Sequence, residues 1–199
     1  MASGFDNDPH SQDGQPCPRN RFGITVYAKL AELEDFFVTK RAAQLEARGI
    51  LGSFDLPHLC AIHRYLFQDV FPWAGELRRV GLSKTGGAPF AAPVHIDSAL
   101  TGTFTALRQE NLLHDLDRPT FCQRAAFYLG EINAVHPFRE GNGRTQREFI
   151  RQLAANAGYT LSWAAISPAD NLAASIASHT RGDNSGLAAM LAAAIIETG

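Results

Sequence analysis

The chain has 199 residues, of which 45% are hydrophobic and 19% charged, which is enough for one globular domain with a sizeable core. Its 18 Lys and Arg residues and 20 Asp and Glu residues give a formal net charge of -2, which excludes a broad basic surface for nucleic acid or anionic lipid. No apolar run reaches the roughly 18 residues of a membrane span, so no membrane segment is expected. Any bound anion must therefore be held by a local cluster of residues.

The amino terminus differs in composition from the rest of the chain. Residues 1–20 are polar and rich in Pro, Gly and Asp, and predict a flexible tail before a single domain over residues 21–199. This stretch lacks the apolar segment of a secretory leader. Cys17, Cys60 and Cys122 stand far apart, without the paired spacing of a zinc site. They indicate reduced thiols and a cytoplasmic location.

Helical patterns recur along the domain. Residues 24–48 repeat apolar side chains three and four positions apart, which predicts a long amphipathic helix. Residues 54–71 predict a second helix, with Asp55 as its N-cap and Pro57 in its first turn. Further helices are predicted over 96–114, 120–135, 143–157, 168–179 and 184–197. The expectation is an all-α fold of about seven helices.

One segment departs from helical patterning. Residues 77–96 contain short apolar and β-branched runs around Gly86 and Gly87, with Pro89 and Pro93 close by. This pattern predicts a small β-hairpin, and the prolines confine it to an edge. An isolated hairpin is marginal in water, so we expect it to serve as a flap rather than only as a cover for the core.

The sequence "HPFREGNGRTQR", residues 136–147, concentrates the polar chemistry of the chain. Pro137 prevents the preceding helix from continuing, so His136 is expected at a helix end. Gly141 and Gly143 lie where the next helix begins. The unpaired N–H groups of a helix N-terminus form an anion site.

Two arginines reinforce this interpretation. Arg144 and Arg147 fall in or near the first turn, where positive charge opposes the helix dipole unless an anion offsets it. A chain of phosphates would account for both arginines, for the glycines and for Asn142 as a side-chain donor. Glu140 is suited to share Mg²⁺ with those phosphates. His136, with an ordinary pKa of about 6.5, is suited to act as a general base.

These residues resemble a known family. The pattern HxFx[D/E]GNGRxxR is the signature of Fic domains, and its fixed positions are all filled here, by His136, Phe138, Glu140, Gly141, Asn142, Gly143, Arg144 and Arg147. The segments 54–78, 83–91 and 167–178 are also similar to Fic domains, so the resemblance extends from about residue 20 to the end.

The resemblance implies a Fic fold with a β-hairpin flap and transfer of AMP from ATP to a Ser, Thr or Tyr hydroxyl of a target protein. By that likeness His136 is the catalytic base, Glu140 carries Mg²⁺ and Phe138 anchors the motif in the core. By the same likeness, Arg144 is expected to bind the outer phosphates and Arg147 the γ-phosphate. The full set expected to bind nucleotide or phosphate is Gly141, Asn142, Gly143, Arg144, Thr145, Gln146, Arg147, Lys84 and Thr85.

The flap and the expected partners follow from the same likeness. An extended target segment is expected to pair with the flap edge, with Phe90 at the flap tip as its clamp. Fic proteins are commonly restrained by a helix bearing [S/T]xxxE[G/N], and no Glu of this chain has Ser or Thr four residues before it. We therefore expect a small antitoxin-like protein that presents a Glu to Arg147, as in the toxin half of a bacterial module. A secreted effector is the alternative.

Other activities remain open at this stage. A Fic fold can use another nucleotide or transfer phosphate, although relatives that phosphorylate depart from the GNG pattern. A non-catalytic nucleotide-binding module is disfavoured because no catalytic position is missing. A metallohydrolase using His136 and Glu140 with His58, His63 or His95 is disfavoured because Pro137 breaks the helix that would align the first two side chains.

Overall fold

The computed structural model describes residues 8–12, 15–83 and 88–196, and these ranges contain seven α-helices. The helices are α1 (Tyr27–Arg48), α2 (Leu56–Phe67), α3 (Ile96–Gln109), α4 (Arg118–Val135), α5 (Asn142–Asn156), α6 (Pro168–Arg181) and α7 (Ser185–Ala194). The predicted all-α fold of about seven helices is confirmed. None of these helices is long and apolar enough to cross a membrane.

Two short antiparallel strand pairs complete the described fold. Strand β1 (Ser11–Gln12) pairs with β2 (Gln15–Pro18), and β3 (Thr160–Leu161) pairs with β4 (Ile195–Ile196). The last predicted helix therefore ends earlier than expected. The backbone becomes extended at Ile195 because it pairs there with Leu161.

Local signals set several helix starts. The Asp55 side chain accepts a hydrogen bond from the His58 N–H, as predicted for an N-cap. Asp117 caps α4 in the same way through the Thr120 N–H, with Pro119 in the first turn. These caps satisfy amides that helix geometry leaves without partners.

Helix α4 lies at the centre of the molecule, packed against α3, α5, α6 and α7. Its buried positions occur all round the helix, which is typical of a helix enclosed by others. Helices α2 and α5 pack together beside it. The loop from α4 to α5, residues 136–141, is therefore held between central elements of the core.

The described part of the amino-terminal segment, residues 8–12 and 15–20, packs against the helical domain, although residues 1–20 were expected to form a flexible tail. Within residues 8–12 and 15–20, Asp8, His10 and Cys17 are buried, and the His10 ring stacks on Trp73 with centroids 4.9 Å apart. The Trp73 Nε1–H donates to the Arg19 carbonyl oxygen at 2.7 Å. This part of the chain packs against the helical domain because its few large side chains find partners far along the sequence.

Candidate active site

The loop between α4 and α5 turns through two residues with left-handed backbone conformation. His136 ends α4 at φ 51° and ψ 63°, and its N–H donates to the Ile132 carbonyl oxygen. Gly141 precedes α5 at φ 78°, and a Cβ there would lie 2.2 Å from the Phe67 ring. Only glycine fits that position, because both the conformation and the space exclude a side chain. His136 thus sits at a helix end, as predicted.

The underside of the loop rests on His63, which the sequence suggested only as a ligand in a disfavoured metal site. The Gly75 N–H donates to His63 Nδ1 at 2.8 Å, so the proton is on Nε2, which donates to the Glu140 carbonyl oxygen at 3.0 Å. The ring also stacks on Phe138 with centroids 3.9 Å apart. Burial lowers the pKa of His63 to about 3, so it is neutral near pH 7.

The side chain of Asn142 bonds to the loop that precedes α5. Its Oδ1 accepts from the Phe138 N–H at 2.9 Å, and its Nδ2 donates to the Phe138 carbonyl oxygen at 2.7 Å. The side chain is buried and ties the loop to the start of α5. The second N–H of Nδ2 is not used by Phe138, so the role of Asn142 as a phosphate donor stays a prediction.

Thr145 and Gln146 also point away from the main cavity. The Thr145 hydroxyl donates to the Gly141 carbonyl oxygen at 3.0 Å, and the residue is fully buried. Gln146 Nε2 donates to the Ile132 carbonyl oxygen and lines a smaller cavity of about 140 Å³ on the other side of His136. Their predicted role on the phosphates is not supported, because helical spacing turns these positions toward the core.

Most of the motif residues line one cavity of about 570 Å³, a size suited to a small-molecule ligand. Its wall is formed by Leu82, Ser83, Phe90, His136, Arg139, Glu140, Gly141, Asn142, Gly143, Arg144 and Arg147. The structure thus brings together the predicted base, the predicted metal carboxylate, both arginines and the N-terminus of α5. A helix N-terminus flanked by two guanidinium groups is suited to a phosphate chain.

The two arginines differ in their surroundings. Arg144 pairs with the buried Glu34 of α1, and its guanidinium lies 4.9 Å from the centre of the Phe67 ring. Arg147 has no carboxylate within ion-pair distance in the described part of the chain. Burial lowers the pKa of Arg147, and the charge of Arg144 lowers it further. An anion at Arg147 would relieve this unfavourable burial.

Glu140 is a carboxylate in an unfavourable environment. Burial raises its pKa to about 6, against the opposing effect of Arg139, whose Nη1 lies 3.6 Å from Glu140 Oε1. A divalent cation would favour the ionised form. The described residues contain no group of three or more His, Cys, Asp or Glu side chains that could hold a metal ion. A single carboxylate beside a helix N-terminus suited to phosphates fits a magnesium ion that takes its other ligands from phosphate and water.

The described residues include the base of the predicted flap. Ser83 pairs with Pro89 in an antiparallel bridge, and the Phe90 N–H donates to the Leu82 carbonyl oxygen at 3.0 Å. Lys84 and Thr85 lie outside the described residues. The sequence predicts Phe90 at the flap tip, but this is wrong, because Phe90 lies at the flap base. It is buried and stacks on the His136 ring, with centroids 3.9 Å apart and planes 9° apart. On its other side it meets His179 of α6.

Arg78 joins the flap to the loop and was also missed by the sequence analysis. It is 2% exposed, and its guanidinium donates to the carbonyl oxygens of His136, Val80, Ala91 and Val135. Because one planar cation bonds four backbone carbonyls, the flap base and the catalytic loop are fixed relative to each other. No local pattern around Arg78 distinguishes it from a solvated arginine.

Comparisons with known proteins agree with this site. The family model of the Fic/DOC family matches residues 53–154. The chain is 42% identical over 173 residues to the protein adenylyltransferase VbhT of Bartonella schoenbuchensis, covering 87% of this chain but 36% of that protein. It is 41% identical to a probable protein adenylyltransferase Fic of Salmonella typhimurium, covering 82% of this chain and 80% of that protein.

A solved structure is similar over almost the whole fold. It is that of the BepC protein of Bartonella tribocorum, a VirB-translocated effector with bound AMPPNP, and it has a TM-score of 0.86 and 27% identity. The superposition covers 96% of this chain and 97% of that one. The similarity therefore includes the elements that surround the cavity.

Proposed function

Since the chain belongs to the Fic/DOC family, we propose that it is a protein adenylyltransferase that transfers AMP from ATP to a hydroxyl of a target protein. The observation that carries this proposal is the shared cavity of His136, Glu140 and the N-terminus of α5 with its two arginines. The adenylyltransferase names of the bacterial relatives and the AMPPNP bound to a structural neighbour support it.

The chemistry assigned to the site is a single displacement. The backbone amides at Gly141, Asn142 and Gly143 hold phosphate oxygens, Arg144 the outer phosphates and Arg147 the γ-phosphate. Glu140 holds Mg²⁺, which neutralises phosphate charge when bound. His136 accepts the proton of the target hydroxyl as its oxygen attacks the α-phosphorus. The bond from the α-phosphorus to its bridging oxygen breaks, and pyrophosphate leaves.

The flap is proposed to guide the target. An extended segment that adds to the flap edge would bring its Ser, Thr or Tyr side chain to the side of His136. The stacking of Phe90 on the imidazole fixes the plane of the ring that would accept the hydroxyl proton. In this arrangement Phe90 orients the base as well as flanking the target.

We further propose that the chain acts in a bacterial cytoplasm as the toxin of a two-protein module. Arg147 lacks a carboxylate partner in the described ranges, so a Glu from an antitoxin-like helix would pair there and block the γ-phosphate. A groove of about 470 Å³ beside Arg147, between α1 and the Trp163 segment, is suited to receive side chains from such a helix. A secreted effector is the second candidate, favoured by structural neighbours that are VirB-translocated effector proteins.

Mass spectrometry tests the activity. Bacterial proteins incubated with the wild-type chain, ATP and Mg²⁺ are expected to gain AMP, and the His136→Ala chain is expected to transfer at least about 100-fold more slowly with AMPPNP binding nearly retained. Added phosphate would instead support a phosphotransferase. Equal transfer by both chains would contradict the assignment of the base.

A further inference from the structure

The amino-terminal segment reaches the proposed metal carboxylate through Arg139. Asp8 Oδ2 accepts from Arg139 Nε at 2.7 Å, and Asp8 Oδ1 accepts from the His10 N–H at 3.0 Å. Arg139 Nη1 lies 3.6 Å from Glu140 Oε1. Arg139 therefore stands between two carboxylates and lies closer to Asp8.

Burial makes this arrangement consequential. The Asp8 side chain is 0% exposed and that of Arg139 8% exposed, whereas that of Glu140 is 26% exposed toward the cavity. Removing one carboxylate of a buried ion pair weakens the compensation of its cation and strengthens the pull of that cation on a neighbouring carboxylate. For Arg139, Glu140 is a second carboxylate at its side within the described ranges.

We propose that Asp8 is a positioning residue that restrains Arg139 and so keeps the Glu140 carboxylate available to a nucleotide-bound divalent cation. This inference rests on the proposed function of Glu140. Arg139 stands at a variable position of the Fic signature, and Asp8 lies outside the signature altogether. The role of the pair therefore does not follow from the signature, and it would connect the packed amino-terminal segment to the site.

Binding of Mn²⁺ in the presence of AMPPNP, followed by electron paramagnetic resonance, tests the proposal. All chains carry His136→Ala so that the nucleotide is not consumed, and no target protein is present. Asp8→Asn is expected to weaken Mn²⁺ binding by about 10-fold, the low end of the effect of losing a supporting partner of a metal ligand. Asp69→Asn is the matched control, because it breaks an Asp–Arg pair with Arg41 away from the cavity.

A double variant separates positioning from a structural role. If Asp8 acts by restraining Arg139, the Asp8→Asn, Arg139→Gln chain should bind Mn²⁺ within about threefold of the reference chain, because the competing cation is gone. A purely structural loss would not be rescued by a second buried substitution. The double variant also leaves no unpaired charge at this place, since both charged groups become neutral amides, so it is expected to fold even if Asp8→Asn does not.

Each outcome bears on the proposal. Unchanged binding in Asp8→Asn contradicts it, as does a folded double variant that binds Mn²⁺ about 10-fold more weakly than the reference. The reference chain is the one that carries His136→Ala alone. If Glu140→Gln leaves its Mn²⁺ affinity unchanged, the assignment of Glu140 as a metal ligand is wrong. The failure of the proposed metal site is in this way distinguished from failure of the role of Asp8.

Discussion

At the scale of single residues, the site is built from charges held in unfavourable places. Glu140 has its pKa raised by burial, and Arg147 has its pKa lowered by burial. Both shifts describe a site without its ligand, since a cation would stabilise the carboxylate and a phosphate the guanidinium. Such strain is expected where binding of a charged ligand supplies the compensation.

Glu140→Gln is expected to stabilise the ligand-free chain. The folded-state pKa of about 6 lies above the ordinary value of 4.5, so ionisation of Glu140 lowers stability as pH rises between these values. The variant should gain up to about 2 kcal/mol in free energy of unfolding at pH 7.5, and the difference should vanish well below pH 4.5. Urea unfolding at about pH 3.5 and pH 7.5 measures the difference.

The exposed Glu131 of α4 supplies the control for that measurement. Glu131→Gln should not change stability by more than about 0.5 kcal/mol. A Glu140→Gln chain that is less stable than the wild type at pH 7.5 would contradict the account of Glu140. In the same variant, the Mg²⁺ concentration required for transfer should rise, because an amide is a poor ligand for this cation.

At the scale of elements, the sequence predicted what depends on neighbouring residues. The cap at Asp55, the end of α4 at His136 and the start of α5 after Gly141 follow from local backbone chemistry. The hydrogen bonds of the Asn142 side chain could not be predicted in this way, because they reach Phe138 only once the loop has turned. The support from His63 was hidden for the same reason, since it lies 77 residues from Glu140.

Two glycines of one motif should respond oppositely to alanine. Gly141→Ala meets the Phe67 ring at a positive φ and should lower the free energy of unfolding by about 2–5 kcal/mol. Gly143→Ala lies in the helix, where the added Cβ would be 3.4 Å from Arg147 Nη1. Its stability should be unchanged or raised by up to about 1 kcal/mol.

Nucleotide binding distinguishes Gly143 further. The methyl group of Gly143→Ala narrows the cavity beside Arg147, so AMPPNP affinity should fall by about 10-fold although the chain is folded. Calorimetric titration and chemical denaturation of both variants provide the two readouts. Equal stability losses in the two variants, or undiminished AMPPNP binding in Gly143→Ala, would speak against a phosphate cradle at this helix end.

At the scale of the whole molecule, contacts between residues far apart in the sequence determine features that composition could not predict. The polar amino-terminal residues predicted a tail, yet Asp8 and His10 are buried against Arg139 and Trp73. A similar limit applies to Phe90, whose place over His136 depends on the meeting of the flap with α4 and α6. Residue types and motif spacing predicted the chemistry of the cavity, but not the contacts that hold it in shape.

Toxicity is the expected outcome in a living cell. The wild-type chain, expressed alone in a bacterium, should halt growth, because the described residues hold no carboxylate at Arg147 to restrain it. The His136→Ala chain at the same level should be harmless. Growth curves after induction measure the effect, and harmless high-level expression of a wild-type chain that transfers AMP in vitro would contradict the toxin role.

The central claim is that the cavity directs attack at the α-phosphorus of ATP with His136 as the base. Incubation of bacterial proteins with ATP labelled at either the α- or the γ-phosphate tests it most directly. The account predicts label on protein from α-labelled ATP only, with the γ-label recovered in pyrophosphate and neither product formed by the His136→Ala chain. Label on protein from γ-labelled ATP, or transfer undiminished without His136, would contradict it.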